Sequence, residues 1–339
     1  MRCLAWLLAL QLGLAASAQA EEARPLTIAL TRDAAAAPLL IAVAQHDFAA
    51  EGVAPRLSFL DSDAAVTETV AAGRADIGLA ATSEPFFAAA AGHGLKIIAA
   101  RSSDQTRFPI AVLLVGAKAR AAGLSGLRVL SAGRIGVTDP QAGAYYALFD
   151  VAQRFSIAAQ AIRTQPLGSE ARTLAALRQG SVDAVLLSYA EAARLAHPDE
   201  AILRLSDFAQ WQQGVVFAAG STIAQRHDLV ARFMRGYQRG TAEYQLDFQH
   251  YDDGGDFIPG PHYAEELALV AHQIGMAPAL LAATKRYCDR RGNPDADDLG
   301  RQIRFWQERG KLDRKIAPAD LLDLSFIGEE IAGSSTAPL

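Results

Sequence analysis

Short apolar runs alternate with alanine-rich helical patterns along most of the chain. The runs have the length of buried strands, and amphipathic stretches separate them. The predicted strands are residues 26–30, 53–60, 95–100, 109–116, 134–137, 161–165, 202–205 and 214–219. This alternation predicts an α/β fold in which mixed sheets are flanked by helices. From Ser221 onward the pattern is helical almost throughout.

One unit of the pattern occurs twice, at residues 73–84 and 180–191. In each copy a glycine ends a helix, Asp76 or Asp183 lies in the turn, and a short apolar run follows as a buried strand. Small polar residues then open the next helix. Two copies predict two similar lobes, and the strand ends and helix starts of such lobes face a crevice that binds ligands.

The order of these elements predicts a discontinuous domain arrangement. Residues 1–20 are expected to be a signal peptide, and residues 333–339 a disordered tail. Lobe 1 is predicted to comprise residues 21–112 and 217–332, and lobe 2 residues 113–216. The chain crosses between lobes at the strand-like runs 109–116 and 214–219, which implies a hinge rather than a flexible tether.

The first twenty residues predict export. Arg2 precedes an apolar stretch at residues 4–14, and Ala18-Gln19-Ala20 is a small-residue cleavage site. An uncleaved anchor is the alternative, but the apolar run is short for a bilayer. No cysteine lies at the end of the apolar run, so we expect a periplasmic protein without a lipid anchor. Cys3 leaves with the signal, and Cys288 alone cannot form an intramolecular disulfide.

Composition and motifs exclude several function classes. The 339 residues are 51% hydrophobic and 20% charged, and the net charge of −5 argues against nucleic-acid binding. The sequence contains no Gly-x-Ser-x-Gly, His-Glu-x-x-His, phosphate loop or dinucleotide fingerprint. Its seven histidines do not pair at metal-binding spacing on a helix. We therefore expect no catalytic residue, no metal and no cofactor, and we expect Cys288 to be an inert thiol.

The predicted strand ends carry side chains suited to binding a small molecule. Hydroxyls and free N–H groups at helix starts bind anions, and arginine offers a planar fork for carboxylate or sulfonate. Arg101 has the best position for that fork, with Arg32 next. Helix capping by the hydroxyls is the open alternative. The candidate residues are Thr31, Arg32, Thr82, Ser83, Arg101, Ser102, Thr138, Gln141, Gly143, Tyr145, Ser188 and Tyr189.

Several short motifs, in order, resemble extracytoplasmic substrate-binding proteins of ABC importers. The resemblance is to the nitrate/sulfonate/taurine and thiamine-pyrimidine-precursor group. It rests on residues 37–44, Ala-Asp-Ile-Gly at 75–78, residues 94–99, Arg-Ile-Gly-Val at 134–137, residues 180–184, and the late stretches 302–312 and 322–326. It implies a two-lobed type II periplasmic-binding-protein fold that captures a small organic ligand by lobe closure. The implied partners are an inner-membrane permease with its ATPase, and the protein is expected to be a monomer.

Two departures from that group bear on function. The group often has Gly-Ser at the first helix start of lobe 2, whereas Ala144 follows Gly143 here. Gln141 or Tyr145 would then replace the hydroxyl, which favours a larger, less oxyanion-like ligand. Some relatives are pyrimidine synthases or desulfinases that use cysteines, but residues 31–34 read Thr-Arg-Asp-Ala. Such an enzyme, or a ligand-sensing module, is the alternative to an importer receptor.

Overall fold

The computed structural model describes residues 23–195 and 201–327. The predicted signal peptide and C-terminal tail lie outside the described residues. Ten strands occur in this part of the chain: β1 (Arg24–Thr31), β2 (Val53–Leu60), β3 (Ile77–Ala81), β4 (Leu95–Asp104), β5 (Ala111–Val115), β6 (Arg134–Val137), β7 (Arg163–Pro166), β8 (Ala184–Ser188), β9 (Ala201–Arg204) and β10 (Trp211–Ala219).

Helices of very different lengths connect and cover these strands. They are α1 (Ala37–Ala44), α2 (Asp47–Ala50), α3 (Asp63–Ala71), α4 (Glu84–His93), α5 (Ala117–Ala121), α6 (Arg128–Ala132), α7 (Gly143–Arg154), α8 (Glu170–Gln179), α9 (Tyr189–Leu195), α10 (Gly220–Phe248), α11 (Tyr263–Ile274), α12 (Pro278–Ala283), α13 (Ala296–Glu308) and α14 (Pro318–Leu321). No helix in the described ranges is both long and apolar enough to cross a bilayer.

The strands form two five-stranded mixed sheets with the same internal order, which confirms the predicted α/β fold. The first sheet runs β2-β1-β3-β10-β4 and the second runs β7-β6-β8-β5-β9. In both, the fourth strand is antiparallel to its two neighbours. That strand is β10 in the first sheet and β5 in the second. Each of these two strands directly follows a segment in which the chain passes from one sheet to the other.

The chain passes between the sheets in two short segments, 105–110 and 205–210. Strand β5 begins at Ala111 and β10 at Trp211, both earlier than the predicted lobe boundaries at 112/113 and 216/217. The domain boundaries themselves stay a prediction. The paired short crossings match the expected hinge between two bodies.

The repeated unit has the same backbone construction in both sheets. Gly73 and Gly180 have φ angles of 68° and 75°, in the left-handed region that ends helices. Asp76 accepts the Thr27 N–H at 2.8 Å and donates its own N–H to the Thr27 carbonyl at 2.9 Å. Asp183 does the same with Arg134, at 2.8 Å for both bonds. Both aspartates thus hold the start of one strand beside the start of its neighbour.

Some predicted element bounds are wrong for identifiable reasons. The helix expected at 36–48 breaks at His46, whose φ of 62° cannot continue a helix. The helix expected at 277–286 ends at Ala283. The strand expected to end at Ala100 continues to Asp104, because β10 pairs with it as far as that residue. Arg101 and Ser102 therefore lie inside a strand instead of following one.

Helix α13 packs between the two sheets and joins their cores. Its Phe305 ring lies 5.4 Å from Tyr146 of α7 and 5.7 Å from Phe149, measured between ring centroids. Asp298 of the same helix accepts hydrogen bonds from the Tyr146 hydroxyl at 2.6 Å and the Gln212 N–H at 2.7 Å. One hydrophobic cluster accordingly runs through both sheets.

Candidate ligand-binding cleft

The two sheets meet where β3 ends and α7 begins. Ser83 and Ala142 form an isolated antiparallel bridge, and the Glu84 N–H donates to the Gln141 carbonyl at 3.0 Å. Gly143 is buried against the Thr82 carbonyl and the Trp211 ring. The fold thus brings four of the predicted site residues, Thr82, Ser83, Gln141 and Gly143, together at the contact between the two sheets.

The polar groups of these residues are largely engaged within the protein. The buried Thr82 hydroxyl donates to the Gln212 carbonyl at 2.9 Å. The Ser83 hydroxyl caps α4 by accepting the Phe86 N–H at 3.2 Å. The Gln141 side chain donates to the Glu84 carboxylate. These contacts fit the capping alternative raised from the sequence.

Arg101 lies at the centre of a buried ionic cluster. Its side chain is 2% exposed, and Nη1 lies 3.4 Å from Asp33 and 3.6 Å from Asp63. Burial alone would lower the pKa of Arg101, but the two carboxylates reverse this and raise it. Burial raises the pKa of Asp63, and the charge of Arg101 offsets this in part. The guanidinium is therefore already neutralised by protein groups before any ligand arrives.

The strand position of Arg101 depends on a glycine in the neighbouring strand. A Cβ at Gly214 would lie 2.6 Å from Arg101 Nε. Ser102, the next residue, turns its buried hydroxyl to Gln213 Oε1 at 2.6 Å. Gln213 is itself half-buried, and the sequence prediction did not include it.

Arg286 is a second arginine of this cluster and is absent from the sequence prediction. Its Nη1 is buried and has no hydrogen-bond partner among the described residues. Asp33, Arg101 and Asp104 are charges that act on it, and burial lowers its pKa. The Tyr244 hydroxyl fixes its backbone, donating to the carbonyl at 2.9 Å and accepting the N–H at 3.1 Å.

Arg32 and Thr31 are placed differently from Arg101. Arg32 is exposed, stacks 4.0 Å from the centroid of the Phe59 ring, and donates to the Gln273 carbonyl. The Thr31 hydroxyl donates to Asp33 at 3.0 Å and so orients one carboxylate of the ionic cluster. Of the two predicted arginines, Arg101 alone belongs to the buried cluster.

The second sheet presents hydroxyls and carboxylates at its strand ends. The hydroxyls of Thr138 and Tyr145 lie 3.2 Å from those of Thr173 and Thr164, respectively. Ser188 shares hydrogen bonds with Glu191, and the Tyr189 N–H donates to the Ile110 carbonyl. The Tyr189 side chain is half-buried, and its ring remains free to cover a ligand.

Glu191 has an unusual protonation equilibrium. Burial and the neighbouring Glu170 together raise the pKa of Glu191 to about 7. Glu191 can therefore donate as well as accept a hydrogen bond near neutral pH.

Two surface grooves lie away from this region. One of about 550 Å³ runs between α7 and α13, and another of about 350 Å³ lies beside α5 and α8. Neither is lined by a predicted site residue. We place the candidate site at the strand ends because buried charges with unused donors converge there.

The two-sheet fold is that of periplasmic binding proteins. The alkanesulfonate-binding protein SsuA from Xanthomonas axonopodis pv. citri, solved with MOPS, superposes with a TM-score of 0.61 at 17% identity, over 90% of this chain and 99% of that one. The aliphatic sulphonate-binding SsuA from Escherichia coli gives 0.65 at 14%, over 88% and 97%. The nitrate-binding NrtA from Synechocystis PCC 6803 gives 0.58 at 9%, over 87% and 83%.

The profile of the NMT1/THI5-like family matches residues 33–247, and the chain belongs to this family. No curated protein sequence is significantly similar to it. The matched range includes most of the predicted site residues and both crossings between the sheets, whereas Arg286 lies beyond it.

Proposed function

We propose that this protein is an extracytoplasmic receptor that closes its two lobes on a small polar organic ligand and delivers it to an ABC permease with its ATPase. The observation that carries the proposal is the cluster of the buried Arg101 with the half-buried Arg286, Asp33 and Asp63, near the ends of β1, β2 and β4. Strand ends at such a crevice are where this architecture binds ligands. We further propose a monomer that is periplasmic after cleavage behind Ala20, with lobes close to the predicted boundaries.

The charges of the site favour a ligand with hydrogen-bond donors over a simple oxyanion. Arg101 is already paired with two carboxylates, so a strongly anionic ligand would have to compete with them. Glu191, partly protonated near neutral pH, complements amide and amine groups of a nitrogen heterocycle. A sulfonate or carboxylate ligand, bound by the unpartnered Nη1 of Arg286, is the second candidate.

A ligand panel tests the receptor function and the ligand class together. The panel contains pyrimidines and other nitrogen heterocycles, aromatic acids, aliphatic carboxylates and sulfonates. A ligand that binds only the folded protein raises the melting temperature, and lobe closure reduces the radius of gyration measured by small-angle scattering. If no compound produces either change, the receptor proposal fails. If only sulfonates do, the donor-rich ligand is excluded.

The variant Arg286→Ala tests whether Arg286 binds the ligand, and Arg32→Ala, at an exposed arginine, is its control. Once a ligand is found, loss of a charged hydrogen bond at Arg286 should weaken its affinity by about 1.5–3 kcal/mol in calorimetry. Arg32→Ala, which removes an exposed guanidinium, should leave affinity nearly unchanged. Equal losses in the two variants would remove Arg286 from the site. Arg101→Ala is less informative, because it also leaves two carboxylates without their partner.

The enzyme alternative finds little support in the only described cysteine. Cys288 is 1% exposed, and burial raises the pKa of its thiol to about 12. A thiol in that state is a poor nucleophile. Substrate turnover that disappears in Cys288→Ser would favour an enzyme, and recovery of a kinase instead of a permease in crosslinking would favour a sensing module.

A further inference from the structure

A second polar cluster lies far along the chain, where the end of α10 meets the start of α11. Asp247 belongs to the last turn of α10, and His262 and Glu266 lie at the start of α11. One ligand atom from each of the three lies within 4.8 Å of the others. This group was not predicted from the sequence, because His262 meets one carboxylate from a different helix and one from the next turn of its own helix.

Two carboxylate oxygens in this cluster are buried without any hydrogen-bond partner in the described chain. They are Oδ2 of Asp247 and Oε2 of Glu266. The Asp247 side chain is 1% exposed and Glu266 is 3% exposed. A buried carboxylate oxygen without a donor costs free energy, so this arrangement calls for a proton or a cation between the oxygens.

The local charge balance points to a cation. Glu243 and Asp47, which adjoin the cluster, each have another buried oxygen without a hydrogen-bond partner. The arginine whose charge acts on Asp47 and Glu243 is Arg239, and it already pairs with Asp47 and Glu51.

We propose that Asp247, His262 and Glu266 bind a first-row divalent transition-metal ion, with zinc as the best fit. His262 Nδ1 lies 3.7 Å from Asp247 Oδ2, close to the roughly 3.3–3.6 Å that separates two ligands of a tetrahedral zinc ion. An imidazole ligand selects zinc over calcium and magnesium, which prefer oxygen alone. His262 is 59% exposed, so an ion can enter from solvent and a water can complete its coordination.

The site joins the end of α10 to the start of α11. Asp247 Oδ1 already accepts a hydrogen bond from the backbone N–H of His262 at 3.0 Å. This bond holds His262 beside the carboxylate. The Gln45 amide lies 3.4 Å from Glu266 Oε1 and leaves Oε2 for the ion. Metal binding there would stabilise the junction of α10 and α11 in lobe 1, independently of ligand capture.

Zinc titration of the untagged, chelator-treated protein tests the proposal. Saturating ZnCl2 should raise the melting temperature by about 5 °C, whereas MgCl2 at the same concentration should not. CoCl2 should produce the visible absorption of a tetrahedral Co²⁺ ion with nitrogen and oxygen ligands. A wild-type protein that shows no zinc-dependent shift, or responds equally to magnesium, overturns the proposal.

Two matched pairs of variants on α11 locate the site. His262→Ala and Glu266→Gln should each weaken zinc binding at least tenfold in calorimetry. His272→Ala and Glu265→Gln, which alter exposed residues of the same helix, should bind zinc like the wild type. Because His262 is exposed, its replacement leaves the fold intact, and circular dichroism checks this. Loss of binding in the control pair, or unchanged binding in His262→Ala, contradicts the three-residue site.

Discussion

Gly143 occupies a position where any side chain would collide with the facing sheet. A Cβ there would lie 2.7 Å from the Trp211 ring and too close to the Thr82 carbonyl. The absence of a side chain is therefore what permits this close approach, and a ligand contact of Gly143 stays a prediction. The neighbouring Ala144, which replaces the serine common in similar proteins, leaves this close approach unchanged.

We predict that Gly143→Ala destabilises the protein by about 1–3 kcal/mol, because an inserted methyl group must push the two lobes apart. Gly92→Ala is the matched control, since a Cβ at that helical position meets no atom within 4 Å. The control should be neutral or stabilising by about 0.5–1 kcal/mol. Urea denaturation of both variants gives the two values, and equal stability of Gly143→Ala and the wild type would contradict the contact.

Arg101 and Arg286 illustrate what residue type alone can indicate. The sequence predicted Arg101 as a ligand-binding arginine after a strand, and this role stays a prediction. The structure places Arg101 inside β4 with Asp33 and Asp63 as partners, which changes its chemistry. Arg286 carried no local signal, because it follows a short helix far along the chain. Its charged neighbours all come from the first 104 residues.

At the scale of elements, the aspartates of the repeated unit are backbone clamps. Each accepts a backbone N–H from the adjacent parallel strand, Asp76 from Thr27 within β1 and Asp183 from Arg134 at the start of β6. Each is also paired with an arginine, Asp76 with Arg226 and Asp183 with Arg134. Burial acts to raise the pKa of Asp183, but the hydrogen bonds and charge of Arg134 outweigh it and lower the pKa.

We predict that Asp183→Asn destabilises the protein by about 1–2 kcal/mol at pH 7. The lowered pKa means that ionised Asp183 adds stability above its unfolded pKa near 4, and that this contribution is lost as the pH falls below it. The difference between variant and wild type should therefore shrink from pH 5 to pH 3 in urea denaturation. Asp253→Asn, in an exposed loop, should show no such difference at either pH.

At the scale of the molecule, Asp104 ties both crossings between the sheets together. Its carboxylate accepts the Ile110 N–H at 2.8 Å on one crossing and the Trp211 indole N–H at 2.9 Å beside the other. Asp298 adds a third connection through α13. Asp104 thus links the two segments in which the chain passes between the sheets.

We predict a pH-dependent stability centred on Asp104. Burial raises the pKa of Asp104 to about 6, so the native state holds this proton more tightly than the unfolded chain. The resulting stability is fully present below about pH 4 and is lost as the pH rises through 6, by at most about 3 kcal/mol. Denaturation between pH 4 and pH 7 should show this loss in the wild type and a flatter dependence in Asp104→Asn. Parallel curves for the two proteins would exclude Asp104 as the titrating group.

Local chemistry explains why much of the fold was predictable. The strands were recognisable from apolar runs. Serines at 62, 83 and 169 cap α3, α4 and α8, as serine commonly does at a helix start. The repeated glycine and aspartate positions similarly predicted two lobes of one design. Predicted element bounds were wrong where pairing with a distant strand outweighed the local pattern. Strand β4, for example, continues to Asp104 because β10 pairs with it that far.

The sequence by itself determined the two α/β lobes, the crossings and most strand-end residues, because those follow from periodicity and turn chemistry within short segments. Only the tertiary structure decided which charges meet. It placed two carboxylates on Arg101, brought Arg286 to the same cluster, and joined His262 to Asp247 across two helices. These encounters depend on distances between segments that are remote in sequence, and no local pattern encodes them.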